Sequence, residues 1–264
     1  MSAGCSDESS RKAQGYMEGR YTYIATSVSG VLTDLSVDKG RWVKRGDTLF
    51  VLEPQPEIDT YRAAQDSLAQ SIAAHDALIP TLTFAKKTYD RYHYLVPKNA
   101  IDQARLDSAQ SDFESLKSQL AQTKATISEK EALLAEATWT KNQKIMNAPI
   151  DGIVFDTYYR IGEYTIANQP ILSLLSPHDI KAIFYVGESN LARLQLNNTV
   201  NISCDHCEKT YPGRISYISP SAEYTPPVIY STETREKLIY RIEASFTPEI
   251  AKELHPGQPV TVTY

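Results

Sequence analysis

The stretch LDSAQSDFESLKSQLAQTKATISEKEALLAEA, residues 106–137, decides the fold. Apolar and small residues recur in it at alternating steps of three and four, with Thr123 and Lys130 as the two weak members. The full row is Leu106, Ala109, Phe113, Leu116, Leu120, Thr123, Ile127, Lys130, Leu134 and Ala137. This is the a/d spacing of a coiled coil, so the segment predicts one long coiled-coil arm.

A weaker copy of the pattern precedes this arm. Its row is Ile58, Tyr61, Gln65, Leu68, Ile72, His75, Ile79, Leu82, Lys86 and Tyr89. Pro80 lies inside it and predicts a kink or an interruption. Pro97 and the turn-forming Asn99 leave only a short link between the arms, so the two helices run antiparallel. We expect a coiled-coil hairpin over residues 57–144; the alternative, two core helices of a bundle, needs a wider apolar stripe than either arm has.

The segments on either side of the hairpin repeat each other. Shifting residues 29–53 by 122 positions lays them on residues 151–175 without a gap. The matched pairs include Gly30 with Gly152, Gly40 with Gly162, Gly46 with Asn168, Leu49 with Ile171, Phe50 with Leu172 and Leu52 with Leu174. Each copy is too small to bury a core alone. The repeat therefore predicts two β-motifs that pair around a pseudo-two-fold axis into one sandwich.

Composition and motifs exclude several functions. The net charge of -5 argues against a nucleic-acid binder. We find no pattern typical of a nucleophilic triad, a phosphate-binding loop or paired catalytic carboxylates, so we expect neither enzymatic activity nor a cofactor. A lipoyl or biotinyl carrier needs a modified Lys where the half-motifs meet, and residues 53–56 contain none.

The two half-motifs, SGVLTDLSVDKGRWVKRGDTLFVLEP and APIDGIVFDTYYRIGEYTIANQPILSLL, resemble the split biotinyl-lipoyl domain of HlyD-type periplasmic adaptors, also called membrane fusion proteins. The segments YPGRISYISPSAEYTPPVIYSTETREKLIYRIEA and LHPGQPVTVTY are similar to the YbhG-like subgroup, which works with ABC exporters. The resemblance implies a modular, mixed α and β fold: a coiled-coil α-hairpin inserted in a split lipoyl-like β-sandwich, followed by a small β-barrel. The expected domains are a tether over residues 1–20, the sandwich over 21–56 and 145–177, the hairpin, and the barrel over 178–264, which has six strands with help from a strand over residues 15–22.

The resemblance also implies a function. Such an adaptor joins an inner-membrane exporter, here of ABC type, to a TolC-like outer-membrane channel, and it assembles into a hexameric ring in the periplasm. One alternative is a coiled-coil scaffold or binding module at the cell envelope that forms no conduit. Another is the same adaptor serving a proton-driven pump.

The resemblance places a binding site at the hairpin tip. Many adaptors that dock on TolC-like channels carry the tip motif Arg-x3-Leu-x6-Ser, and here Arg91 and Leu95 match while Asp102 replaces Ser. We expect Arg91 to reach carbonyls or a carboxylate on the channel, Leu95 to offer an apolar knob, and Asp102 to cap the second helix. The alternative is that Arg91 is merely solvated and Leu95 only closes the hairpin core.

The three cysteines suggest other roles. Ala3-Gly4-Cys5 resembles the end of a bacterial lipobox, which makes Cys5 a candidate lipid anchor at the inner membrane; a chance Cys on a tail is the alternative. Cys204 and Cys207 form a CxxC pair at an expected β-turn, where a local disulfide, free thiols and a metal site with His206 all stay open.

Overall fold

The computed structural model describes residues 11–204, 207, 209–224 and 238–264. Two long helices, α1 (Gln55–Leu95) and α2 (Gln103–Asn142), pack against each other as an antiparallel hairpin. Every residue of the a/d row predicted for α2 is buried or half-buried. The coiled-coil arm read from residues 106–137 therefore has the predicted face toward its partner.

The a/d row predicted for α1 is wrong at four of its ten positions. Tyr61, Leu68, His75, Leu82 and Tyr89 do face α2, but Gln65, Ile72, Ile79 and Lys86 are exposed. The preceding residues take their places in the seam, namely Ala64, Ser71, Leu78 and Ala85. Three of these four side chains are small Ala or Ser, which a search for apolar residues does not single out. The helix also continues through Pro80 without interruption.

A β-sandwich holds the base of the hairpin. It has two sheets, built from six short strands and from the sandwich portions of two longer ones, β1 (Lys12–Ala25) and β8 (Pro170–Gly187). One sheet has the order β5 (Ile145–Asn147), β4 (Thr48–Leu52), β2 (Gly30–Leu35) and β7 (Tyr164–Thr165), and the other contains β6 (Gly152–Thr157) and β3 (Trp42–Val43) together with β1 and β8. The core between the sheets draws on both half-motifs, including Leu32, Phe50, Val154 and Leu172.

Backbone hydrogen bonds confirm the pseudo-two-fold repeat. Gly40 donates to the carbonyl of Val154 at 2.8 Å, and Gly162 donates to the carbonyl of Leu32, also at 2.8 Å. Each of these bonds maps onto the other under the 122-residue shift. The matched turn residues share one backbone conformation: φ is 87° at Gly40, 93° at Gly162, 94° at Gly46 and 64° at Asn168. The substitution of Asn for Gly is tolerated because Asn adopts the left-handed region more readily than other non-Gly residues.

The C-terminal part closes into a barrel of six strands within the described residues. Around it run β13, β1, β8, β12, β10 and β9, each antiparallel to its neighbours. Their bounds are β1 (Lys12–Ala25), β8 (Pro170–Gly187), β9 (Thr199–Cys204), β10 (Tyr211–Ile218), β12 (Leu238–Ser245) and β13 (Pro259–Thr263), with β11 (Glu223–Tyr224) flanking β12 and the short helices α3 (Glu188–Leu191) and α4 (Pro248–Ala251) in its connections.

Strand β1 shortens the expected tether over residues 1–20, because the barrel strand expected over residues 15–22 begins at Lys12. Its first half, from Lys12, pairs with β13 and β8 as a full member of the barrel. Met17 points into the barrel core and is almost completely buried, which ties this segment down. Among the described helices, none combines the length and the apolar character that crossing a bilayer requires.

Candidate functional site at the hairpin tip

The hairpin tip is a compact turn built from local backbone bonds. Helix α1 gives way to a 3₁₀ turn at Val96–Lys98, followed by Asn99 with φ of 51°. The Asn99 N–H donates to the Val96 carbonyl at 3.0 Å, and the Ala100 N–H donates to the Leu95 carbonyl at 3.3 Å. Pro97 fits the first turn of a helix because it has no N–H to satisfy there. The left-handed conformation expected for Asn99 is thus present.

The capping hydrogen bond expected from Asp102 is absent at the described start of α2. Asp102 occupies the position before α2 with extended backbone, φ -72° and ψ 145°. Its carboxylate makes no capping hydrogen bond to the first turn of α2, all of whose residues are described. The side chain is exposed, so this carboxylate stands at the tip as a free acceptor.

Arg91 and Leu95 lie one turn apart at the end of α1, as the tip motif requires. Leu95 is half-buried, so part of its side chain closes the hairpin end and part remains accessible. Arg91 is exposed and makes no ion pair with any described residue. By contrast, Lys86 on the preceding turn pairs with Asp90 at 2.9 Å. The Arg91 guanidinium is therefore available to a partner.

A second pair at the tip was missed by sequence reasoning. The Lys98 ammonium lies 3.5 Å from the centroid of the Tyr94 ring, and that ring is 64% exposed. A Tyr and a Lys four residues apart at a helix end could have signalled this contact. The tip thus presents an aromatic ring with a cation on its face, next to Leu95.

The tip rests on a packed layer between the two helices. Tyr89 stacks on Phe113 with ring centroids 5.8 Å apart and planes within 9°. Leu106 and Ala109 of α2 are buried at the same end of the hairpin. This layer makes the tip a supported surface, which a docking site needs in order to hold its contact residues in place.

At the opposite end, the hairpin is fastened to the sandwich by a buried lysine. The Lys144 ammonium lies 2.9 Å from Glu57 Oε1, in the first turn of α1, and 2.9 Å from the Ser29 carbonyl oxygen, just before β2. The Leu52 N–H donates to the Lys144 carbonyl at 2.8 Å. Both arms of the hairpin therefore meet one strand junction of the sandwich.

The remaining candidate residues lie away from the tip. Cys5 lies outside the described residues. Cys204 is the last residue of β9. Its Cα lies 5.2 Å from that of Cys207, and the two sulfur atoms are within bonding distance. Among the described residues there is no group of three or more His, Cys, Asp and Glu side chains that could hold a metal ion. His206 lies outside the described residues.

Comparison with known proteins agrees with this architecture. The family model for the barrel-sandwich hybrid domain of RND membrane fusion proteins matches residues 20–175, which span both half-motifs and the hairpin. The chain belongs to the membrane fusion protein family. Members of this family are periplasmic, non-enzymatic adaptors of efflux systems, which oligomerise and work with inner-membrane transporters and outer-membrane channels.

Individual membrane fusion proteins match along nearly the whole chain. A "UPF0194 membrane protein in asrC 5'region" from Acidithiobacillus ferridurans is 28% identical over 294 residues, covering 94% of this chain and 85% of that protein. The "UPF0194 membrane protein YbhG" of Salmonella gallinarum is 26% identical over 289 residues, covering 95% and 87%. The crystal structure of MacA from Actinobacillus actinomycetemcomitans superposes with a TM-score of 0.77 at 20% identity, covering 96% of this chain and 78% of that one, and supports the fold.

Proposed function

We propose that this membrane fusion protein bridges an inner-membrane exporter and a TolC-like outer-membrane channel, with the hairpin tip docking on the channel. The observation that carries the proposal is the unpaired, exposed Arg91 beside Leu95 at the end of a hairpin of 41 and 40 residues. Helices of that length reach about 60 Å from the sandwich. The protein then works by assembling a conduit and performs no chemistry on the cargo.

The exporter is proposed to be an ABC transporter. Support comes from the resemblance of residues 211–244 and 254–264 to the YbhG-like subgroup and from relatives that carry the name YbhG. A proton-driven pump is the second candidate, because the matching family model describes adaptors of RND type. Co-purification after cross-linking in cells separates the two: an ABC permease together with a TolC-like channel supports the first, and an RND pump supports the second. Recovery of neither transporter nor channel favours a scaffold that forms no conduit.

Assembly and anchoring complete the proposal. Hexamers form through the sandwich domains, and their hairpins together build a tube toward the channel. The chain is held at the periplasmic face of the inner membrane by a lipid on Cys5. Cys204 and Cys207 form a disulfide that pins the turn between β9 and β10 in the oxidising periplasm; titration of free thiols in denaturant under non-reducing conditions tests it.

The tip is tested by two substitutions that leave the hairpin seam intact. Leu95→Ser removes the apolar knob and Arg91→Asp reverses the free charge, so each abolishes export in cells while the circular dichroism spectrum stays unchanged. Lys117→Asp, an equal charge reversal at an exposed position in the middle of α2, is the matched control and should export normally. Normal export by both tip variants would show that these two residues do not dock the channel.

A further inference from the structure

The hairpin tip has the opposite charge to the chain as a whole. The chain carries a net charge of -5, yet residues 86–105 contain five Lys and Arg against two Asp. Of these five cations, only Lys86 pairs with a carboxylate among the described residues. The cations left unpaired are Lys87, Arg91, Lys98 and Arg105. A concentrated, unneutralised positive charge attracts a partner surface of negative potential.

A continuous stripe of contact residues runs into this basic tip. Tyr94 and Leu95 lie three and four positions after Arg91, which is the spacing of one helix face, and Lys98 follows in the 3₁₀ turn. Within the stripe, the Lys98 ammonium sits 3.5 Å from the centroid of the Tyr94 ring, a contact worth about 0.5–1 kcal/mol at an exposed site. The ring is therefore held in position while 64% of the side chain remains open to solvent.

We infer that Tyr94 and Lys98 form a docking element that extends the Arg91–Leu95 contact onto an acidic protein surface. The inference rests on the proposed docking of the tip on a channel and names the chemistry of the surface it meets. Tyr and Arg side chains are enriched among the residues that dominate protein interfaces. The Lys98 ammonium keeps N–H donors for a partner carboxylate while it lies over the ring.

An acidic protein fits the tip better than an anionic lipid surface does. The exposed Asp102 stands among the cations, and a uniformly anionic membrane would repel it, whereas a protein surface can match a mixed pattern. Among residues 86–105, the large apolar side chain that is strongly exposed is that of Tyr94; the next one along α1 is Phe84, 70% exposed. Helices that lie on membranes bury a broad apolar face instead.

Binding of the full chain to purified TolC-like channels from the same organism tests the inference. Surface plasmon resonance compares the wild type with Lys98→Glu, Tyr94→Ala, the conservative Tyr94→Phe and Lys98→Arg, and the control Lys117→Glu on the flank of α2. We expect Lys98→Glu and Tyr94→Ala to weaken affinity at least about tenfold. Tyr94→Phe, Lys98→Arg and Lys117→Glu should stay within about twofold of the wild type. Affinity should also fall with rising salt, and less steeply for Lys98→Glu.

The outcomes separate this inference from the function beneath it. If the wild type binds and both Lys98→Glu and Tyr94→Ala bind equally well, the docking element is overturned while channel docking stands. If the wild type binds no channel, the proposed function falls and the inference with it. Sedimentation with phosphatidylglycerol vesicles is the third measurement. If Lys98→Glu weakens binding to the vesicles but leaves binding to the channel unchanged, the tip contacts lipid and the inference is overturned.

Discussion

At the scale of single residues, Lys144 has the most demanding environment. It is the one charged residue that is buried among those described, with its side chain 3% exposed. A buried cation requires partners, and Lys144 has the Glu57 carboxylate and the Ser29 carbonyl. The second carboxylate oxygen of Glu57 is buried without a hydrogen bond among the described residues. The pair therefore joins the hairpin to the sandwich at a cost in desolvation free energy.

Removing one member of the pair should therefore cost more than removing both. Lys144→Ala leaves a carboxylate without its cation and should lower the free energy of unfolding by about 3 kcal/mol. The double variant Lys144→Met with Glu57→Leu should lose clearly less, because no charge stays buried. Urea unfolding followed by tryptophan fluorescence measures both.

The matched control for this cycle is Lys117→Ala. Lys117 pairs with Glu114 on the exposed surface of α2, at 3.4 Å. Such a pair contributes at most about 1 kcal/mol, so the variant should unfold close to the wild type. A Lys144→Ala protein as stable as this control would mean that the buried pair does not fasten the hairpin.

At the scale of elements, the two helices differ in how well the sequence predicts which of their faces is buried. The α2 row could be predicted because large apolar residues (Leu, Phe or Ile) occupy six of its ten seam positions. The α1 row could not, because Ala and Ser lie inside the seam while Ile72 and Ile79 lie outside it, at 41% and 44% exposure. A search for apolar periodicity places isoleucine in the seam in preference to alanine. In the structure, alanine lies in the seam and these two isoleucines lie at the surface. The contact between His75 Nδ1 and Thr123 Oγ1, 3.0 Å long, adds a polar layer that no apolar pattern reveals.

Two adjacent residues test the corrected seam. Leu78 faces α2, so Leu78→Ala should lower the free energy of unfolding of the hairpin by about 1–2 kcal/mol, below the cost for a fully buried leucine. Ile79→Ala should change it by less than about 0.5 kcal/mol, as expected for a surface substitution. Thermal unfolding monitored by the helical circular dichroism signal provides the comparison. The reverse order of costs would restore the row read from the sequence.

At the scale of the whole molecule, the hairpin is an insertion that the β-domains do not need. The buried clusters of the sandwich and of the barrel contain no residue from α1 or α2 within the described chain. The repeat revealed this arrangement in the sequence, because matched turns imply that the flanks pair with each other. A barrel strand was expected over residues 15–22, whereas the membership of residues 12–14 was less visible because their partners in β13 lie far away in sequence.

Excising the hairpin should leave a folded protein. Joining Glu57 to Gln143 through a short Gly/Ser linker keeps Lys144 and its partners. It also shortens the loop between the half-motifs, and each halving removes about 0.6 kcal/mol of closure entropy. The thermal midpoint of the β-domains should therefore stay level or rise, while the helical signal falls sharply and export stops. An insoluble or unfolded product would mean that the hairpin helps the half-motifs to pair.

Strands β1 and β8 have a mechanical consequence. Each runs unbroken from the barrel into the sandwich, and the two pair with each other in both domains across a local shift in register near Gly19. Between the pairs Gly19–Ile180 and Tyr21–Leu175, residues 176–179 of β8 stand opposite Arg20 alone, so the ladder is interrupted where the two domains meet. Two strands that cross one junction restrain rotation of the barrel against the sandwich more than a single linker would, while the residues of β8 without a partner in β1 leave the junction free to bend.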